Sequence, residues 1–190
     1  MLIENYNIEE TENLVDVYNF QVEKFHTYHV GKNGVLVHNA GKDYASLEPD
    51  KYTELTESEV RDILTERGLN DQAVQDLIDS FDGSIYKREG VAGETFTITE
   101  SKAGEASGVF VTRESAGATP TERIDNLALP PNNTAMVEST VKLTRSQILL
   151  EGKVAVQPDW AIIADDGIPR NGGGWQVVTD GGKYNGSIER

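Results

Sequence analysis

The feature that most restricts the fold is a change of texture at Gly83. Beyond it the chain is written in short β-type runs, "TFTIT", "GVFVTR", "MVESTVKL", "KVAVQP", "WAII" and "WQVVT", divided by Gly, Pro and Asn. Runs this short, rich in Val, Ile, Thr and aromatic residues and bounded by turn formers, read as strands. The segment before them is different. "LTESEVRDILTERG" offers Thr56 as an N-cap with Glu59 three residues on, Val60, Ile63 and Leu64 at helical spacing, and Gly68 as a stop. Asn70 opens a second such stretch, "DQAVQDLIDSF", in which Val74, Leu77, Ile78 and Phe81 form one stripe. Helices that precede the strands rather than alternate with them predict an α+β fold with a mostly antiparallel β core.

Ahead of the helices, "VDVYNFQV" alternates in a strand-like way, and "TYHVGKNGVLVHN" places two β-type runs about a "KNG" turn. The whole stretch "VYNFQVEKFHTYHVGKNGVLVHNA" resembles the C-terminal end of Hint domains, the intein-like modules that precede toxin domains in bacterial polymorphic toxins. "VYNFQVE", "FHTYHVG" and "VLVHNA" fall in that family's order and spacing, and the resemblance stops there. It implies that His38 and Asn39 occupy the pair that supports backbone cleavage, the Asn side chain cyclising onto its own peptide carbonyl while the His assists. The plainer alternative is that the two residues end a strand and begin a turn. The expected organisation is a Hint-like remnant over residues 1–40, a helical part over 41–82 and a catalytic core over 83–190.

Composition narrows the chemistry. The chain carries 17 basic and 32 acidic residues, a net charge of −15. Residues 1–40 hold only two of the basic and six of the acidic ones, which leaves 15 basic against 26 acidic, or −11, on residues 41–190. Such a surface repels phosphate backbones, so a nucleic-acid partner is not expected, whereas a basic protein partner is. There are no cysteines, and all three histidines (His26, His29, His38) lie in the Hint-like piece. Residues 41–190 therefore lack the imidazole base of Ser-His-Asp and Cys-His catalysis and of two-histidine ribonucleases, and the usual zinc ligands. Carboxylates could still hold magnesium, yet no paired Asp/Glu-x-Lys pattern occurs on a strand, and "GGGWQ" lacks the Lys and hydroxyl residue of a P-loop. No metal site is expected. The remaining chemistry is of a kind that needs little acid or base because the leaving group departs readily, as nicotinamide does from NAD. No apolar run is long enough to span a membrane, and the acidic N-terminus is unlike a signal peptide, so another segment or machine would carry the protein out of a cell.

One stretch asks for a special reason. In "IPRNGGGWQVVTDGG" three glycines run into Trp175 and Gln176, which weakens a strand unless the backbone needs positive φ or a close approach. Read in order, "YKREG", "GVFVT", "LALPPNN", "EGKVAVQPDW" and "NGGGWQVV" resemble the tuberculosis-necrotizing-toxin family of NAD glycohydrolases, which share a reduced ADP-ribosyltransferase-like fold. The resemblance covers residues 83–182 and implies that Gln176, after the glycine run, is essential for NAD cleavage. It further implies that arginines contact the dinucleotide, with Arg88, Arg113 and Arg123 the nearest candidates and Arg88 also counted as catalytic. On this reading Gly172, Gly173 and Gly174 let the nicotinamide or its ribose lie close, with Trp175 as a bordering wall and Phe110 over the nicotinamide. The duller alternatives are a solvent-facing Gln176, a glycine hairpin, core roles for Trp175 and Phe110, and surface roles for the arginines. Two departures stand out: Leu127 occupies the place of the arginine usually found before "ALPP", and a family histidine downstream of it has no counterpart in "TAMVESTVKLTR".

The expected function is that of a secreted polymorphic-toxin effector. It would hydrolyse NAD or NADP to nicotinamide and ADP-ribose in a target-cell cytoplasm and be held in check by a basic immunity protein over the cleft. The alternatives are mono-ADP-ribosylation of a macromolecule and a binding module that kills without turnover.

Overall fold

The computed structural model describes residues 27–30, 35–38 and 42–190. Strands β1 (Thr27–Val30) and β2 (Val35–His38) pair antiparallel with Thr27 opposite His38, as expected for runs flanking the "KNG" turn. The "VDVYNFQV" run and Asn39 lie outside the described residues.

From residue 42 the order is α1 (Tyr44–Leu47), β3 (Thr53–Leu55), α2 (Glu57–Glu66), α3 (Asp71–Asp79), β4 (Ile85–Gly90), β5 (Thr95–Glu100) and β6 (Phe110–Val111). Then follow α4 (Pro120–Asn126), β7 (Val137–Leu143), β8 (Gln147–Lys153), α5 (Pro158–Ala164), β9 (Trp175–Val178) and β10 (Ile188–Glu189). The fold is α+β. One sheet has the order β3-β4-β8-β9-β6 and a second β10-β7-β5, and the pairings within both are antiparallel. A single bridge, Thr97 opposite Thr112 with both N–H···O distances at 2.8 Å, stitches β5 to the chain leaving β6 and so joins the sheets along one edge.

The two early helices begin where their caps predict. Thr56 and Glu59 form a reciprocal capping box on α2, and the Asn70 side chain accepts from the Ala73 N–H at the start of α3. Their apolar stripes, with Phe81, cover Ile85, Leu150 and Val178 on one face of the five-stranded sheet. Because side chains alternate along a strand, Leu149, Trp175 and Val177 face the other way, into a core shared with Phe96, Ile98, Val141, Leu143 and Ile188 of the second sheet. Glu151 stands opposite Val177 and Gly152 opposite Gln176, so Glu151 and Gln176 also belong to opposite faces.

Three local expectations are corrected. "WAII" is not a strand but most of α5, with Pro158 at its first turn, where a missing N–H costs nothing. The strand expected at "KVAVQP" lies earlier, over Gln147–Lys153, and Val154 makes only an isolated bridge to Phe81. The stretch "RESAGATPTE", whose small residues read as a loop, contains instead the start of α4, whose Thr119 and Glu122 form a second capping box with Pro120 in the first turn. That signature was present in the sequence.

Candidate functional site

A cavity of about 290 Å³ opens where the two sheets meet, walled by β5, β6, the Leu127–Pro130 turn after α4 and the chain entering α5. None of its lining residues is charged. Polar atoms come from hydroxyl and amide side chains, notably Ser80, Thr97, Thr99, Asn133 and Gln176, and the flat surfaces are Phe110 and Trp160. Phe110 is well exposed at this sheet edge, so it borders the opening rather than packing in the core.

Gln176 is only 6% exposed and lines this cavity. Its Nε2 donates to the Ser80 carbonyl oxygen at 2.8 Å and to Ser80 Oγ at 3.1 Å. Ser80 is the C-cap of α3, and its hydroxyl in turn donates to the Leu77 carbonyl at 2.6 Å. A backbone carbonyl can only accept, which settles which end of the Gln176 amide faces Ser80. The other end, Oε1, accepts no hydrogen bond from any described residue.

The glycine triplet does accommodate a close approach, and what approaches is the chain's own backbone. Gly172 and Gly173 have φ of +72° and +83°. A Cβ on Gly172 would run into the Val154 carbonyl oxygen and stand 2.8 Å from that of Ala155, and one on Gly174 would stand 2.7 Å from Asn126 O. The N–H groups of Gly172, Gly173 and Gly174 donate to Asp125, Val154 and Asn126 carbonyls at 2.9, 2.8 and 2.9 Å. The triplet therefore ties the end of α4 to the end of β8 and sets the Leu127–Pro130 wall without touching the cavity. Ala128 in that wall is fully buried at φ +43°, a strained geometry for a residue with a Cβ.

The arginines are not brought to Gln176. Arg88 donates to buried Glu151 at 2.7 Å and to both oxygens of Glu94 at 3.1 and 2.6 Å. Arg113 donates to the two Glu151 oxygens at 2.9 and 3.2 Å while its guanidinium carbon lies 4.8 Å from the Tyr44 ring centroid and 5.4 Å from that of Tyr52. Trp175 Nε1 and Tyr52 OH also donate to Glu151, each at 2.9 Å, so the Trp175 indole is a core group on the face away from Gln176. Burial pushes the Glu151 carboxyl up, but the hydrogen bonds and charge of Arg113 and the charge of Arg88 outweigh it and hold the group below the usual carboxylate range. Burial, reinforced by the same carboxylate, pushes the Tyr52 hydroxyl well above its ordinary value. Arg123 holds the Gly117 and Ala135 carbonyls at 2.9 Å each.

Sequence reasoning passed over Ser80, Thr97, Thr99, Asn133 and Trp160, which only tertiary packing gathers. It also passed over Arg170. The "DDGIPRN" stretch looks flexible, yet Arg170 is 2% exposed, bound to both Asp166 oxygens at 2.7 and 2.9 Å and to the Leu129 carbonyl at 3.2 Å. The Asp166–Arg170 spacing was the available signal. Among the described residues no group of three or more His, Cys, Asp or Glu side chains is placed to hold a metal ion, and no helix is long and apolar enough to cross a membrane.

No protein-family model matches the chain, and no curated protein matches it. Among solved structures it is similar to one described as "Structure of Tse6 in complex with Tsi6", at 13% sequence identity and a TM-score of 0.48, over 72% of this chain and 96% of that one.

Proposed function

We propose that the domain following residue 40 hydrolyses NAD or NADP to nicotinamide and ADP-ribose, as the toxic part of a secreted effector acting in a target-cell cytoplasm. The observation that carries this reading is an uncharged cavity lined by a buried amide, Gln176, whose carbonyl oxygen is left without a protein partner. The order of "YKREG", "ALPP" and "GGGWQ" motifs supports it, as does the lack of His and Cys in residues 41–190.

The chemistry follows from the lining. The nicotinamide ring of NAD is a pyridinium cation until the bond from its nitrogen to the ribose breaks, when the bonding pair passes to nitrogen and the ring leaves neutral. A cavity that offers the cation no counter-charge disfavours the bound substrate relative to the neutral product. Positive charge develops on the ribose, water adds to the anomeric carbon and a proton passes to solvent. Gln176 Oε1 accepts a hydrogen bond from that water or from a ribose hydroxyl and holds it in line. Pockets for whole drug-sized ligands run from about 300 to 1,000 Å³, so a cavity at the bottom of that range suits one ring and its sugar rather than an entire dinucleotide. Arg88 and Arg113 serve by holding Glu151 on the other face of the sheet, and Arg123 by holding the Gly117 and Ala135 carbonyls. A cognate immunity protein with a basic face would suit the acidic surface.

The test is NAD and NADP consumption by the purified chain beside Gln176→Ala, with products separated. The expected outcome is release of free ADP-ribose and a fall in kcat of about 100-fold or more in the variant, the scale on which one transition-state-orienting group acts. No consumption of either dinucleotide by the unaltered chain overturns the reading, and label fixed on a macromolecule would move it to ADP-ribosyl transfer.

A further inference from the structure

We propose that Ser80 is the positioning residue of the site: it grips the Nε2 end of Gln176 and so presents the carbonyl oxygen, a pure acceptor, to whatever occupies the cavity. The inference rests on the reading of Gln176 as the reacting-site amide. A free glutamine amide presents a donor and an acceptor with equal ease, because its two ends are nearly the same shape. Here the symmetry is broken by one residue acting twice. The Ser80 carbonyl accepts from Gln176 Nε2 at 2.8 Å and from the Ala155 N–H at 2.9 Å, so both of its lone pairs are engaged. Ser80 Oγ directs its proton to Leu77 O, which leaves a lone pair for Gln176 Nε2 at 3.1 Å. Every group in this relay has its donor and acceptor roles assigned, and the chain of assignments ends at the unpartnered Oε1 of a side chain that is almost fully buried.

The consequence is selectivity by hydrogen-bond sense. The site receives molecules that bring a donor to that point, such as water, a ribose hydroxyl or a carboxamide NH2, and disfavours those that bring a second acceptor, because two facing acceptors in a buried site leave both unsatisfied. The anchor is also a helix end: α3 stops at Ser80, and its packing on the sheet fixes where the acceptor sits.

The experiment uses the full chain with Ser80→Ala, Ser80→Thr, Gln176→Ala and the double variant Ser80→Ala/Gln176→Ala. The Gln176 side-chain amide signals in a nitrogen-proton correlation spectrum, assigned by their disappearance in Gln176→Ala, report the relay without any turnover. In the unaltered chain two well-separated, slowly exchanging protons are expected. Ser80→Ala should speed exchange of the amide by roughly tenfold, the scale of one lost hydrogen bond, and Ser80→Thr should keep it slow. With NAD as substrate, Ser80→Ala should lower kcat by roughly tenfold with little change in KM, and the double variant should be no worse than Gln176→Ala. Amide signals that are averaged in the unaltered chain, or unchanged in Ser80→Ala, overturn the proposal, as does a further loss of kcat in the double variant. If the amide responds as expected while the unaltered chain consumes no NAD, the relay stands and the assignment to NAD hydrolysis falls.

Discussion

Glu151→Gln should be the most damaging single-atom change in the protein. The carboxylate is 0% exposed and receives five hydrogen bonds, from Arg88 Nε, Arg113 Nε and Nη2, Tyr52 OH and Trp175 Nε1. Every one of these groups is a donor. Glutamine substitutes an NH2 for one oxygen, so whichever way the amide turns it sets a donor against at least two of them. The side with fewer partners faces Arg88 Nε and Arg113 Nη2, and the side with more faces Tyr52, Arg113 Nε and Trp175. The lost charge matters as much. Arg88 keeps its bidentate partner Glu94, but Arg113 is left with Glu48 at 3.4 Å. Breaking a buried ion pair by removing one partner costs about 3–5 kcal/mol. For a chain of this size each kcal/mol lowers Tm by roughly 2–4 °C, so the expected fall is about 6–20 °C by thermal unfolding followed with circular dichroism. Glu94→Gln is the control. Its partner Arg88 retains Glu151 and the site is partly open to water, so a loss of about 1 kcal/mol or less is expected. Equal Tm shifts for the two variants would refute the argument that Glu151 is the shared, desolvated centre of the network.

Two further predictions follow from the same packing. Burial pushes the Glu100 carboxyl up, yet Arg190, the Ala106 N–H and Ser139 outweigh it and hold the group at about 2, and Asp166 is held at about 2 by Arg170 and the Ile168 N–H. Both folded values lie below the ordinary 4.5 and 3.8, so their stabilisation is complete above pH 4.5 and is lost as the pH falls through about 2. Tm should decline across that window and the decline should be shallower in Glu100→Gln; a Tm that does not move from pH 5 to 2 would count against it. In the glycine run, Gly173→Ala meets open space and carries only the strain of positive φ, about 1–2 kcal/mol. Gly172→Ala adds a collision with the Val154 and Ala155 carbonyls, so its Tm loss should be at least twice as large, and similar losses at the two positions would refute the account of why the triplet is there.

What local chemistry governs was legible in the chain. The caps at Thr56 and Asn70, the stripes of α2 and α3 and the "WQVV" strand all appear as read, because each is decided within one or two turns of sequence. The second capping box, at Thr119 and Glu122, was equally legible but lay among small residues that resemble a loop. "WAII" misled because four apolar residues suit a strand as well as a helix, and the choice was made by Pro158 and by an exposed position with no strand to pair with.

The partners of each side chain were decided only by the fold. Arg88 and Arg113 are good phosphate ligands by type, but strand register sets Arg88 on the face of the sheet that carries Glu151, the bend after β6 brings Arg113 to the same place, and a buried carboxylate takes both. Gln176 lies one residue from Trp175 and so faces the opposite way, where the end of α3 supplies Ser80 from 96 positions earlier in the chain. The sequence by itself determined which residues could be helix caps and strands, since those follow from backbone propensity and spacing, while the candidate amide came from the resemblance of the glycine-rich stretch to a toxin family. Tertiary structure alone decided that the glycines admit their own backbone and that the arginines brace the core. It likewise decided that the cavity is uncharged, because hydrogen-bond partners and desolvation depend on contacts between distant segments.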